Sequence, residues 1–172
     1  MKQIVYRGVE YKEALRVVAA QRYEREERRR FVNGASAKAV FGSGVYLVSN
    51  PKIAAQYAIC HAETTWDQAA VLAQELELDG LAALDERYGE NELRADALRW
   101  RHTPEQLTRL SAAKRHEEWL EWTGDEIRAY LLDRGFAGIR YRISRELTYF
   151  VCYKPHEQIG RISLLTVFDI PE

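Results

Sequence analysis

Cysteine is scarce: Cys60 and Cys152 are the only two in 172 residues, too few for a disulfide framework, and each is expected to act as a small buried hydrophobe. Cys60-His61 sets two ligand types side by side. Adjacent residues rarely supply two ligands to one ion, and no second pair stands at a ligand-like spacing, so no metal is expected. No apolar run approaches the roughly 18 residues of a membrane span. No basic-then-apolar export segment opens the chain, so a cytoplasmic protein without membrane association is expected. An excess of one charge is lacking too: the net charge of −1 argues against nucleic-acid binding driven by the field of the whole molecule. The chain has no fixed-period repeat, no low-complexity linker and no Gly-x-Gly-x-x-Gly after a strand, which excludes a second domain and a Rossmann unit.

What is present is a hydrophobic fraction of 47%, enough for one core spanning residues 1–172 as a single domain. Periodicity predicts a strand at about 3–8. A long amphipathic helix at about 10–30 follows, with Ala14, Leu15, Val17, Val18 and Ala19 on its buried side. Within that helix Arg22 to Arg30 mixes charges, as a solvated face with i,i+4 pairs does, although Arg28, Arg29 and Arg30 also suit phosphate contacts. A loop is expected at 31–43. Ala70 to Leu78 reads as a strand at a sheet edge, and residues 81–118 as charged and helical, with Thr103-Pro104-Glu105 as a helix start. Thr123-Gly124-Asp125-Glu126 predicts the opening of a short helix that closes at Arg134-Gly135. Strands at about 138–143, 148–153 and 160–168 follow, with Pro155 to Ile159 as a turn. Helices and strands without regular alternation predict an α+β fold on a split antiparallel sheet.

The most informative stretch is Gly42-Ser43-Gly44-Val45-Tyr46-Leu47-Val48-Ser49-Asn50-Pro51-Lys52-Ile53-Ala54-Ala55-Gln56-Tyr57. Val45 to Val48 has the β-branched and aromatic content of a short strand ending near Ser49. Asn50-Pro51 then combines a capping side chain with proline at the first helical position. Tyr57 falls about two turns into that helix, on the side able to fold back toward Tyr46. Two such rings can clamp a flat aromatic guest, each contributing on the order of 1 kcal/mol; packing of both in the core accounts for the spacing equally well.

Three pieces together resemble the ADP-ribosyltransferase superfamily: Tyr6-Arg7-Gly8, the Gly42-to-Tyr57 segment, and Gly135-Phe136-Ala137-Gly138-Ile139 followed by Tyr149-Phe150-Val151-Cys152-Tyr153-Lys154-Pro155-His156-Glu157-Gln158-Ile159. The middle piece is similar to the Gly-x-Gly-Ile-Tyr-Phe segment of the poly(ADP-ribose) polymerase-like and diphtheria-toxin-like branch. Arg7 stands where that branch has histidine, as in the cholera-toxin-like and clostridial-toxin-like branch. Where the resemblance calls for a catalytic glutamate, the chain has Thr148 or Tyr149, and Glu146 is the nearest acid.

The resemblance implies NAD as co-substrate. The nicotinamide–ribose bond would break and ADP-ribose would pass to a macromolecular acceptor, protein or nucleic acid, in a bacterial or phage enzyme. A toxin of this kind would imply a neutralising antitoxin or immunity protein. Gly8 would meet the nicotinamide amide, Tyr46 and Tyr57 would sandwich the ring, and Arg7 would hold ribose or diphosphate. Glu146 would stabilise the cationic sugar, with Ser49 and Asn50 as further polar contacts. Plainer roles stand beside these: Arg7 at the surface, Glu146 in an ion pair with Arg142 or Arg145, His156 exposed, and His61 near the cleft without a partner. An NAD glycohydrolase and an inactive module that holds NAD or ADP-ribose are the alternatives. The loop at 31–43 and the charged region at 81–118 would border the cleft and choose the acceptor.

Overall fold

The computed structural model describes residues 1–24, 40–60 and 67–170. Strand β1 (Lys2–Glu10) is longer than its pattern predicted and pairs antiparallel with β3 (Gln68–Glu77) at nine successive positions. Its other neighbour, β2 (Val45–Val48), meets it at Tyr6↔Val48 alone. On the far side of β2 lies β6 (Thr148–Cys152), followed by β5 (Gly138–Arg142) and β4 (Leu81–Leu84), while β7 (Ile159–Asp169) pairs with β3. The sheet order is β4-β5-β6-β2-β1-β3-β7. Every pair is antiparallel except β4 with β5. The sheet is therefore mixed, not wholly antiparallel as expected, within a single α+β domain.

Helix α1 (Tyr11–Ala20) stops about ten residues before its expected end. Gln21 adopts a left-handed conformation (φ 57°, ψ 35°). Its amide donates to Val18 O and Ile162 O, both at 2.7 Å, and accepts from Ile162 N at 2.9 Å. A side chain thus pairs with β7 as a neighbouring strand would, which ends the helix. Ala14 and Val17 are buried as predicted, Val18 packs partly buried against the core, and Leu15 and Ala19 face solvent. Arg25 to Arg30, residues 31–39 and His61 lie outside the described residues.

Helix α2 (Pro51–Cys60) starts where the sequence indicates: Asn50 Oδ1 accepts from Lys52 N at 2.8 Å and Ile53 N at 3.4 Å. Such a cap stabilises by about 1 kcal/mol. Strand β3 is not an edge. Its middle is buried on both faces between β1 and β7, and the edges are β4 and β7. Within 81–118, Leu81 to Leu84 form a strand instead of helix, because Ala82 and Leu84 alternate inward and β5 offers a ladder. Three helices follow: α3 (Glu90–Arg101), α4 (Pro104–Ala113) and α5 (His116–Asp133). Thr103 opens α4 with a reciprocal capping box to Gln106. Gly124, expected at a helix start, sits inside α5, where Thr123 Oγ1 donates back to Leu120 O at 3.0 Å. Gly135 (φ 85°) closes α5, with Gly135 N bonded to Leu132 O and Phe136 N to Leu131 O, a Schellman arrangement. Pro155 to Ile159, expected as a turn, begins with the short helix α6 (Pro155–Gln158).

One face of the sheet, carrying Val5, Val9, Val45, Leu47, Leu72 and Phe150, packs against Ala14 and Val17 of α1. The opposite face carries two clusters. One joins Ile139 and Val151 to Leu93 and Ala97 of α3 and Ile127 and Leu131 of α5. The other joins Val48 and Val71 to Ala54 of α2. Full burial contributes about 1.5–3 kcal/mol for each large side chain such as Phe150 or Leu72. No helix among the described residues is long and apolar enough to cross a membrane.

Candidate functional site

Arg7 and Gly8 are neighbours on a strand, so they point to opposite faces. Arg7 goes with Val5 and Val9 toward the α1 side and is only 6% exposed. Its Nη1 donates to Tyr46 O at 2.8 Å, and its guanidinium lies 5.4 Å from the centre of the Tyr23 ring. The arginine therefore ties β1 to β2 where the backbone ladder has a single pair. Behind it, Tyr23 Oη donates to Gln74 Oε1 at 2.5 Å, and Gln74 Nε2 to Val5 O at 2.8 Å. Gly8 faces α2, and a Cβ there would stand 2.2 Å from Ala54 O and 2.7 Å from Ala58 Cβ. Glycine is needed at that position for the helix to lie on the strand.

Tyr46 projects to the face opposite Val45 and Leu47 and packs against the Phe41 cluster. Its hydroxyl donates to Gly42 O at 2.6 Å and accepts from Phe41 N at 3.3 Å. The adjoining carbonyls are held as well: Tyr153 Oη donates to Phe41 O at 2.7 Å and Arg128 Nε to Ser43 O at 3.0 Å. Three successive carbonyls of the turn before β2 are thus anchored from β2, the end of β6 and α5. Gly42 (φ 82°) fits because a Cβ would come within 2.7 Å of Gly124 O. Burial pushes the Tyr153 hydroxyl above its ordinary range, with Arg128 opposing. Burial likewise pushes the Cys152 thiol up to about 12, so that thiol is not a nucleophile near neutrality.

Tyr57 lies in the α2 cluster, half-buried, on the same face of the sheet as Tyr46 and Val48. Its hydroxyl touches that of Tyr149, with ring centres 6.0 Å apart at 38°. Tyr149 stands opposite Val48 in the β2–β6 ladder. Ser49 Oγ accepts from Thr148 N at 2.8 Å and reaches Glu146 O at 3.5 Å, while Asn50 is engaged as the α2 cap. Tyr57, Tyr149, Ser49, Asn50 and the backbone of Glu146 therefore meet at one end of β2. Strand β6 begins at Thr148, so Glu146 stands in the β5–β6 turn, exposed, and makes no ion pair with Arg142 or Arg145. The fold brings Tyr46, Tyr57 and Gly8 to one face and turns Arg7 to the other.

Sequence reasoning did not assign Tyr149, Tyr153, Arg128 or Tyr23 a place around these groups. The alternation of Tyr149 and Tyr153 within the C-terminal motif was the available signal. A separate polar cluster sits on the helices that follow β4: Glu126 accepts from Arg101 Nη2 at 2.8 Å and lies 3.1 Å from His102 Nε2, and His102 packs against Trp122 with ring centres 5.1 Å apart. Among the described residues no three His, Cys, Asp or Glu side chains group as ligands for a metal. No protein-family model and no curated protein matches the chain. A solved structure described as the crystal structure of an anti-CRISPR protein is similar to it at a TM-score of 0.38 and 14% identity, covering 96% of each chain. That likeness is too slight to carry an argument.

Proposed function

We propose that this chain binds NAD and transfers its ADP-ribose to a macromolecular acceptor. The observation that carries the reading is the shared face of Tyr46 and Tyr57, produced by a strand, a capped turn and a helix that folds back over β1. A pyridine ring resting against either tyrosine would gain about 1 kcal/mol per stacked face. In the reaction the C1′–N1 bond of NAD breaks and its electron pair leaves with nicotinamide. An acceptor oxygen or nitrogen then forms the new bond to C1′ and releases its proton. Ser49 and Asn50 stand at the end of β2 beside Tyr57, and Glu146 is the carboxylate on the adjoining β5–β6 turn.

The second reading is a module that holds NAD without turnover. It is favoured by Thr148 and Tyr149, the residues on β6 where the resemblance calls for glutamate, and by the exposed position of Glu146. Incubation with NAD labelled in the adenylate part tests both. Label on protein or nucleic acid supports transfer, free ADP-ribose with nicotinamide supports hydrolysis, and binding without either product supports the module. Absence of any NAD binding, with the fold intact, overturns the proposal.

A further inference from the structure

A groove of about 310 Å³ runs between the end of α1 and α6, on the side of β2 away from Tyr57. A second recess of about 290 Å³ adjoins it, and the two share Tyr23, Pro155 and His156. Tyr23 and Tyr153, both buried, contribute to its walls. Lys154 lines the groove and Arg22 the adjoining recess, and both are exposed. Arg22 Nη2 lies 3.0 Å from His156 Nε2. Because a guanidinium only donates, the imidazole accepts there, and the contact ties Arg22 to His156 at the second recess.

The charges around the groove are unevenly matched. Neither Arg22 nor Lys154 has a carboxylate partner among the described residues. Glu24, which also lines the groove, is engaged by Arg16 at 2.7 Å. Glu157 is the one lining carboxylate free to oppose an anion. One cation in each of two adjoining recesses, with a single opposing acid, favours an oxyanion with several charged oxygens.

We infer that the groove and its adjoining recess, lined between them by Arg22, Lys154 and His156, are a binding site for a phosphate-bearing small molecule. A phosphate oxygen in the recess would take two N–H groups from the Arg22 fork, and an oxygen in the groove would take the Lys154 ammonium. The site is independent of the NAD reading, since it shares none of the residues assigned there.

Isothermal titration with inorganic pyrophosphate at low ionic strength tests it. The intact chain is expected to bind saturably, Lys154→Ala and Arg22→Ala each to weaken binding by about tenfold, and the double variant to lose it, as expected for charge-assisted contacts. Glu157→Gln should tighten binding, and Arg109→Ala, on the remote and exposed α4, should leave it unchanged. All these side chains are exposed, so a circular dichroism spectrum suffices to show that the variants fold. No saturable binding, or equal weakening by Arg109→Ala, overturns the assignment in favour of diffuse surface charge.

Discussion

Replacing Gly8 by alanine separates two reasons for a glycine beside Arg7. If glycine is there only to expose backbone to a ligand, Gly8→Ala should lower NAD affinity and leave stability alone. The geometry predicts more. An added Cβ would stand 2.2 Å from Ala54 O and 2.7 Å from Ala58 Cβ, whereas a carbon needs roughly 3.4 Å from an oxygen it does not bond. The shortfall is about 1 Å, and the obstacle is helix backbone, which cannot turn aside as a flexible side chain would. Helix α2 must therefore lift from β1, loosening its contacts with Val48, Val71 and Tyr6. Overpacking of this kind costs about 1–3 kcal/mol. In a chain of this size that is a fall of about 2–4 °C in Tm for each kcal/mol. Urea denaturation of the two proteins, followed by circular dichroism with m-values compared, measures the cost directly. A change below about 0.5 kcal/mol, the range of an ordinary surface substitution, would refute the packing argument. Because α2 carries Tyr57, NAD affinity should fall with stability, and a Tyr57→Ala control should lose affinity while keeping the fold.

Asn50→Ala removes the α2 cap and should cost about 1 kcal/mol, read as a lowered urea midpoint at unchanged m; no change would mean that Ser49 takes over the capping. Glu146→Gln should reduce kcat at least 100-fold, on the order of 3 kcal/mol in the barrier, with NAD affinity retained; full activity in labelled-NAD assays would remove Glu146 from the chemistry. The Asp85 carboxylate is held below its ordinary range, chiefly by the backbone N–H of Tyr88 and then that of Arg87. A carboxylate depressed by folding stabilises above its unfolded value, near 3.9, and loses that contribution as pH falls through the lower folded value. Asp85→Ala should accordingly lower stability at neutral pH and flatten its decline below about pH 4, and parallel acid limbs in both proteins would contradict this. Cys152, its thiol pushed up to about 12 by burial, should resist iodoacetamide at pH 8 until urea unfolds the chain; modification of the native protein at Cys152, located by peptide mass mapping, would show that the site opens.

Local signals proved readable because their physics closes within a turn of chain. Asn50 with Pro51, Thr103 with Pro104, and Gly135 after α5 each satisfy or release backbone groups a few residues away, and each sits where the pattern indicates. Strand β2 and the β5–β6 pair follow the same logic of alternation. The end of α1 could not be read that way. The helical pattern runs on past Ala20, and the stop comes from Gln21 bonding Ile162, 141 positions along the chain. Leu81 to Leu84 suit helix or strand equally, and the available edge of β5 decided between them.

The same division holds at the candidate site. Residue order alone established that Tyr46 and Tyr57 would be joined by a strand, a cap and a helix, because each of those steps is a short-range preference. Which face Arg7 occupies, that Gly8 seats a helix, and that Tyr149 meets Tyr57 depended on strand register and on α2 crossing β1. Those are agreements between segments far apart in the chain, and they acquire an energy only once the sheet has assembled.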